Sequence, residues 1–538
     1  MGALSVVLAV LAATVLVVPL ADRLRLPFPL LMLVFGLLLA VVPGVPVLEV
    51  NPELILPLLL PPLLYSAARA TSWLEFKRNW RAITLLAVAL VLVTAFTVGI
   101  VLQALVPGLP FAAVLVFGAM VGPPDPVAAT AVAAQLRLPR RLTNILVGEG
   151  LFNDATALIL YDVALAAVVT GAFMPLQAGS LLLFSGVAGI GFGFALAWLS
   201  RRLLDLLPAQ TSGAAVSLLM PFIAYVAADE LHGSGVLAVL VYALTLRRSE
   251  DQDAAATRTQ AVGLWQVVEF LVTGAAFAFV GLELRAVSMT IEGDVGELIS
   301  QTAVISAVVI LVRFAWIFPV GWLNERTRAF GGGPDEDPVD WREMLVASWS
   351  GMRGVVTLAT ALALPLRVED GGDFPERDRL ILLAFGVIIV TLLIQGLTLP
   401  LLVRALGVQS PVGEEAAAER ELTRAALDAG RERLEEIRRA CDIEGDLVDE
   451  ALELTEALRH RLDSVPPEEH DADAEQRRDR ISQLADLEAE MLAAARRTVI
   501  AARRAPGADP RVTDEVLSRL DARGIQPRVL PESEQLDG

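Results

Sequence analysis

The sequence contains a single cysteine, Cys441, in 538 residues. One thiol builds neither an internal disulfide framework nor a cysteine-based metal site. Histidine is almost as scarce. His232, His460 and His470 are the only three and stand far apart, which excludes a histidine cluster. Charge is missing over long tracts: from Met1 to about Leu406, apolar runs alternate with short polar ones. From about Pro411 the chain is charged, with 32 Asp/Glu against 19 Lys/Arg, so about −13 of the formal −19 sits in the last quarter. The N-terminus lacks a basic leader region and a small-residue cleavage site, so residues 4–20 are expected to stay as a first helix.

The chain is 55% hydrophobic, with a mean hydropathy of +0.60. A membrane helix needs about 20 apolar residues, within a range of roughly 17–25. Thirteen candidate spans meet or approach that length: 4–20, 28–43, 52–69, 81–106, 111–135, 142–170, 179–204, 213–229, 232–247, 262–285, 297–323, 342–365 and 378–405. Alternate connections, beginning after the first span, carry nearly all the arginine and lysine, for example Arg23 and Arg25, Arg137, Arg140 and Arg141, and Arg247, Arg248 and Arg258. The other set holds only Arg285, Arg367, Arg377 and Arg379, among acids such as Glu292 and Asp370. Positive residues favour the cytoplasmic side. The expected topology is therefore thirteen spans, with the N-terminus outside and the C-terminal tail in the cytoplasm.

Asp125, Glu149, Asp154 and Arg353 are read as lying near half depth. With Asn153 they fall in three segments, "GPPDPVAAT", "GEGLFND" and "SGMRGVV". Ionisable residues at such depth are functional candidates by default. Pro123, Pro124 and Pro126 remove N–H donors and disfavour helix at the preceding residues, which predicts that span five is broken into halves around Asp125. Such backbone is tolerated in a membrane only where it lines a cavity or is buried in protein. Glu149 and Asn153, four apart, share a helix face, and Asp154 points elsewhere. At 1.5 Å per residue Asp154 lies roughly 18 Å into span six, and Arg353 roughly 16 Å into span twelve. Gly351 and Gly354 loosen span twelve around Arg353.

Spans five and twelve are each fifth in a set of six if spans 1–6 and 8–13 are repeats of opposite topology. Interrupted helices at matching positions of inverted halves mark a transporter site at the midplane. Arg353 needs a counter-charge, and Glu149 is the candidate, a structural pair that leaves Asp154 and Asp125 free to change partners. Asp162 reads as solvated near the outer edge. Glu269, Asp229, Glu230 and His232 read as interfacial.

"GEGLFNDATALILY" resembles the Gly-Glu-Ser-x-x-Asn-Asp signature of sodium/proton antiporters of the NhaP/NHE type, the first branch of the monovalent cation–proton antiporter superfamily. "GPPDPVAATAV" resembles their Thr-Asp-Pro crossing segment. "LPPLLYSAA", "LHGSGVLAVLVYAL", "FAFVGLELR", "SWSGMRGVVTLATAL" and "IQGLTLPLLVRALG" follow in matching order, over about residues 1–407. The resemblance implies an all-α polytopic membrane protein with thirteen helices, a six-helix inverted repeat, two crossed discontinuous helices and a homodimer. In it, a core bundle moves against a dimerisation bundle. It implies that Asp154 binds cation and proton, that Asn153 supports the crossed helix, that Asp125 is the second acid, and that Glu149 and Arg353 pair structurally. It also implies electroneutral exchange. Three positions depart from the family: Pro124 replaces Thr, Gly150 replaces Ser, and Ser66 replaces an acid often found after Pro-Pro. Each removes an oxygen ligand.

A small monovalent cation prefers oxygen ligands. The expected ion site is Asp154 and Asp125 with the backbone around Gly122–Pro124, including the Pro124 carbonyl. Cation and proton would compete for Asp154. The expected domains are 1–407, a transmembrane exchange domain, and 408–538, an acidic cytoplasmic tail with helices over 412–440, 444–463 and 473–505. The tail either regulates or dimerises, or is a solvated appendage. The expected function is Na⁺ or Li⁺ exchange for H⁺ across the plasma membrane. A K⁺/H⁺ antiporter of the same fold is the alternative. No enzyme activity, cofactor or nucleic-acid partner is expected; the partners are the transported cation, the proton and membrane lipids.

Overall fold

In lipid, a backbone N–H or C=O finds no water, so a spanning segment closes its hydrogen bonds within a helix. The computed structural model follows that constraint. It describes residues 3–408 except 25, 43–51, 71–79, 82, 126–137, 172–174, 207–209, 251–254, 289–294 and 329–339, and beyond 408 only residues 428, 431 and 432. The described residues hold no strand, only one isolated bridge between Arg367 and Asp373. The chain divides into two units, Met1–Ser410 and Pro411–Gly538. The expected tail helices lie outside the described residues.

The helices in chain order are α1 (Ala3–Leu24), α2 (Phe28–Val41), α3 (Pro52–Ala70), α4 (Leu85–Leu105), α5 (Phe111–Val121), α6 (Arg140–Thr170) and α7 (Pro175–Leu206). They continue with α8 (Gln210–Glu230), α9 (Gly235–Glu250), α10 (Ala255–Ser288) and α11 (Val295–Arg328). Then come α12 (Trp341–Trp349), α13 (Val355–Leu362) and α14 (Arg377–Leu406). Two of them contain a turn of π-helix, Leu85–Leu90 in α4 and Leu392–Gly396 in α14. Outside spans five and twelve, their bounds fall within seven residues of the expected spans. Six helices among the described residues are long and apolar enough to cross a membrane: α4, α6, α7, α10, α11 and α14. Shorter apolar helices include α2, α5 and the first part of α9. The expected span twelve is two short helices, α12 and α13, separated by Ser350–Gly354. Span five leaves the helix after Val121, as its prolines require; the expected second half lies outside the described residues.

The apolar side chains face two ways. Many point outward, among them Leu16, Leu38, Ile100, Trp198 and Leu401, each more than half exposed. A helix that is apolar all round suits a lipid environment. The inward faces form two cores. One gathers α4, α5, α11, α13 and α14, with Phe117, Met120, Val309, Leu358 and Phe385 fully buried. The other gathers α3 and α7–α9 around Tyr65, Ala197, Ala224 and Tyr242. Helix α6 stands between them. Leu142, Leu146 and Tyr161 join the first core, and Leu151, Ala155 and Leu158 join the second. A helix wedged between two cores presents polar residues on opposite faces to different neighbours, which is how α6 serves the site.

Helices α2 and α10 approach backbone to backbone. A Cβ on Gly36 would overlap the Ala278 carbonyl, and one on Gly281 would meet the Leu33 carbonyl. Gly281→Leu is therefore expected to destabilise the protein by about 1–3 kcal/mol or more through overpacking, whereas Leu38→Ala, on the outward face of α2, leaves stability nearly unchanged. Thermal unfolding of the detergent-solubilised variants checks this; equal midpoints would contradict the close approach.

Candidate functional site

The two interruptions meet. At the end of α5 the chain runs through Gly122, Pro123 and Pro124 to Asp125 without helical bonding. The Asp125 N–H donates to the Met352 carbonyl at 2.6 Å. In return the Val355 N–H, at the start of α13, donates to Asp125 Oδ2 at 3.1 Å. The carboxylate thus caps α13, where the helix dipole favours negative charge. Gly354 is the N-cap of α13. Asp125 fills the space a side chain would need there.

The opposite ends are met by positive charge. A helix leaves its last carbonyls unsatisfied, and here two helices end inside the protein. Arg353, 2% exposed, donates through Nε to Val121 O at 2.9 Å and through Nη2 to Gly122 O at 3.2 Å, both at the end of α5. Its Nη1 donates to Gly351 O, just past α12. The Arg353 N–H donates to Thr391 Oγ1 on α14 at 3.1 Å. One guanidinium therefore satisfies two helix C-termini, and one carboxylate satisfies a helix N-terminus.

The expected partner of Arg353 was Glu149, and the structure corrects this. Glu149, 1% exposed, is held by Arg313 of α11, which donates through Nη2 to Oε2 at 2.8 Å and through Nη1 to Oε1. The same guanidinium donates through Nε to Ala347 O on α12 at 3.0 Å. Among the described residues, no carboxylate makes a salt bridge with Arg353. A forked, two-bond pairing suits guanidinium and carboxylate, and Arg313 reaches Glu149 in that geometry while Arg353 is engaged by carbonyls. Gly351 lies between the two guanidiniums, with room for no Cβ beside the Arg313 side chain. Sequence reading passed over Arg313, although a lone arginine in the middle of "VVILVRFAWIF" was the available signal.

On the same face of α6 as Glu149, Asn153 is fully buried and donates through Nδ2 to the Pro124 carbonyl at 2.9 Å; its Oδ1 has no hydrogen-bond partner. Pro124, expected among the ion ligands, thus turns its carbonyl to Asn153. The Gly122 carbonyl, also expected there, faces Arg353. Asp154 lies on the other side of α6. It is partly exposed and makes no hydrogen bond among the described residues. It lines a cavity of about 40 Å³ with Asp125, Pro123, Gly150, Thr357 and Glu269. That space holds roughly three water-sized bodies, which suits a small, partly hydrated ion. Gly150, which departs from the family's serine, contributes an open wall. Glu269, expected at the interface, lines the cavity wall and accepts a hydrogen bond from Ser66 Oγ. Thr357, not singled out by sequence, supplies a hydroxyl where the departures at Pro124 and Gly150 remove hydroxyls. Asp162 is exposed.

Comparison with known proteins bears on this arrangement. The family model "Sodium/hydrogen exchanger, transmembrane" matches residues 9–405. An uncharacterized Na⁺/H⁺ exchanger of Mycobacterium tuberculosis is 36% identical over 415 residues, 74% of each chain. A sodium, potassium, lithium and rubidium/H⁺ antiporter of Bacillus pumilus is 30% identical over 426 residues, 76% of this chain and 63% of that one. The solved structure of the sodium proton antiporter MjNhaP1 from Methanocaldococcus jannaschii at pH 8 has the same fold. Its TM-score is 0.57 at 17% identity, covering 75% of this chain and 98% of that one.

Removing one partner of a buried ion pair costs about 3–5 kcal/mol, whereas replacing both with apolar residues is often neutral. Arg313→Ala is therefore expected to lower the unfolding midpoint steeply, and the double variant Arg313→Met with Glu149→Leu to recover most of the loss. If Arg313→Ala melted like wild type while Arg353→Ala did not, Glu149 would have Arg353 as its partner after all.

Proposed function

The chain belongs to the sodium/hydrogen exchanger family, and from that premise we propose that it is a secondary antiporter exchanging Na⁺ or Li⁺ for H⁺, one for one and without net charge movement. It is a multi-pass membrane protein. The observation that carries the reading is Asp154: a carboxylate with no hydrogen bond among the described residues, on a small cavity beside two chain breaks whose described helix ends are met by Arg353 and Asp125. Among the described residues it braces no backbone, and it faces a space that suits a passing ion.

The chemistry then follows from competition. Asp154 holds either a cation or a proton. Asp125, whose Oδ2 accepts from Val355, adds negative charge to the cavity while bracing the crossing. Pro124 acts by holding Asn153, and Asn153 by tying α6 to the break in span five. Glu149 and Arg313 fix the height of α6 against α11 and α12. If the site changes sides only when Asp154 is occupied, influx of one ion is paid by efflux of the other. No cofactor takes part.

The proposal extends to thirteen spans in an inverted repeat, a homodimer, and residence in the plasma membrane with roles in pH homeostasis. It places the N-terminus outside and the tail from residue 408 in the cytoplasm, following the arginine bias of the connections. A second reading, K⁺/H⁺ exchange on the same fold, is favoured by the Bacillus pumilus relative, whose name includes potassium, and by the missing hydroxyls at Pro124 and Gly150.

In proteoliposomes with an imposed pH gradient, Na⁺ or Li⁺ is expected to dissipate the gradient equally with the membrane potential intact or collapsed. Asp154→Asn is expected to be silent. Dissipation by K⁺ alone would favour the second reading, and full cation-dependent exchange by Asp154→Asn would sink both.

A further inference from the structure

The exchange mechanism above uses Asp154 and Asp125 and leaves a third carboxylate on the same wall unexplained. Glu269 comes from α10, which no part of the crossing requires. Its Oε2 accepts a hydrogen bond from Ser66 of α3, and among the described residues its other oxygen has no partner. The neighbourhood that holds it is rigid. One residue before Ser66, the ring of Tyr65 packs against that of Trp265 with centroids 4.4 Å apart, and Trp265 is one helical turn before Glu269. Trp265 Nε1 in turn donates to Ser217 Oγ of α8 at 2.8 Å. Aromatic packing thus locks α3 against α10, and the Ser66–Glu269 contact sits on that lock.

A second observation points to a ligand. Thr357, on the same cavity wall, is 1% exposed, and its Oγ1 has no hydrogen-bond partner. A buried hydroxyl left without a partner costs about 1–3 kcal/mol, a cost removed when an ion or its water takes the oxygen. Among the described residues, no three acidic or histidine side chains converge closely enough to hold one metal ion together. Glu269 therefore does not share a single coordination shell with Asp154 and Asp125. Depth agrees. In the apolar span 262–285 of the sequence, Glu269 comes seven residues in, and in the span 142–170, Asp154 comes twelve residues in. At 1.5 Å per residue these are roughly 11 Å and 18 Å. On the proposed topology both stretches start from the cytoplasmic side, so Glu269 precedes Asp154 on the way in.

We infer that Glu269 is a separate cation-loading carboxylate, preset by Ser66, which draws a monovalent cation into the cavity and passes it to Asp154, with the Thr357 hydroxyl as an oxygen ligand between them. This rests on the antiport reading. A carboxylate that raises the local cation concentration acts on loading more than on the crossing step.

The test is cation dependence of exchange in proteoliposomes with Na⁺, Li⁺ and K⁺. For Glu269→Gln the apparent KM for the transported cation is expected to rise about 10-fold, with a much smaller fall in maximal rate, the pattern of an interaction lost in binding. Glu269→Asp should recover most of the affinity. The swap Ser66→Glu with Glu269→Ser keeps one carboxylate at the same contact, and it should restore the KM that Glu269→Gln loses. Thr357→Val should change the ratio of KM values between Na⁺ and K⁺. An unchanged KM in Glu269→Gln, or loss of rate with KM intact, overturns the inference while leaving the antiport reading standing. If wild type moves no cation, the antiport reading fails, and the inference is then judged on cation-induced thermal stabilisation of the detergent-solubilised protein. A smaller stabilisation in Glu269→Gln than in wild type supports it; equal stabilisation, or none in wild type, overturns it. If Glu269→Gln does not fold, Glu269→Asp and the swap decide by the same criteria.

Discussion

Ending two helices inside a membrane protein exposes carbonyls and N–H groups that no water reaches, and everything at the centre of this molecule answers that cost. Arg353 and Asp125 meet it from opposite sides. The guanidinium takes the carbonyls of Val121, Gly122 and Gly351, and the carboxylate takes the Val355 N–H. Each charge stabilises the helix ends of the opposite sign, and neither draws on the other. Among the described residues, the helix ends at the crossing are met without using Asp154.

Helix α6 separates its buried polar contacts from its cavity-lining acid by geometry. Glu149 and Asn153 are one turn apart and turn to α11 and the proline break, where both are buried. Asp154, one residue on from Asn153, turns to the cavity. Adjacent residues on a helix point about 100° apart, so a single step along the chain separates a buried amide from an acid on the cavity wall. The cores on either side of α6 hold that orientation through Leu142 and Leu146 on one flank and Leu151 and Ala155 on the other.

Much of this was legible in the residues. Proline in "GPPDP" and glycine in "SGMRGVV" act locally, so the interruptions could be placed from sequence, and helical spacing alone separated Asp154 from Glu149 and Asn153. Pairing was not legible. Which arginine reaches Glu149 depends on how α11 packs against α6 and α12, and a one-dimensional count of depth offers Arg353 as readily as Arg313. The place of Glu269 on the cavity wall was not legible for a related reason. Its distance from the helix start suggests an interface, but the wall between α3 and α10 extends the cavity to it. Thr357 carries no charge and sits in an ordinary apolar helix, so only the shape of the cavity singles it out.

Gly354 and Asp125 occupy one volume between them. Neither position can drift alone. An alanine at 354 has no place while the carboxylate stays, and a longer acid at 125 finds no slack on that side. The two sites, 229 residues apart in the chain, thus share one steric allowance: a side chain at 354 can enter only as far as the one at 125 withdraws.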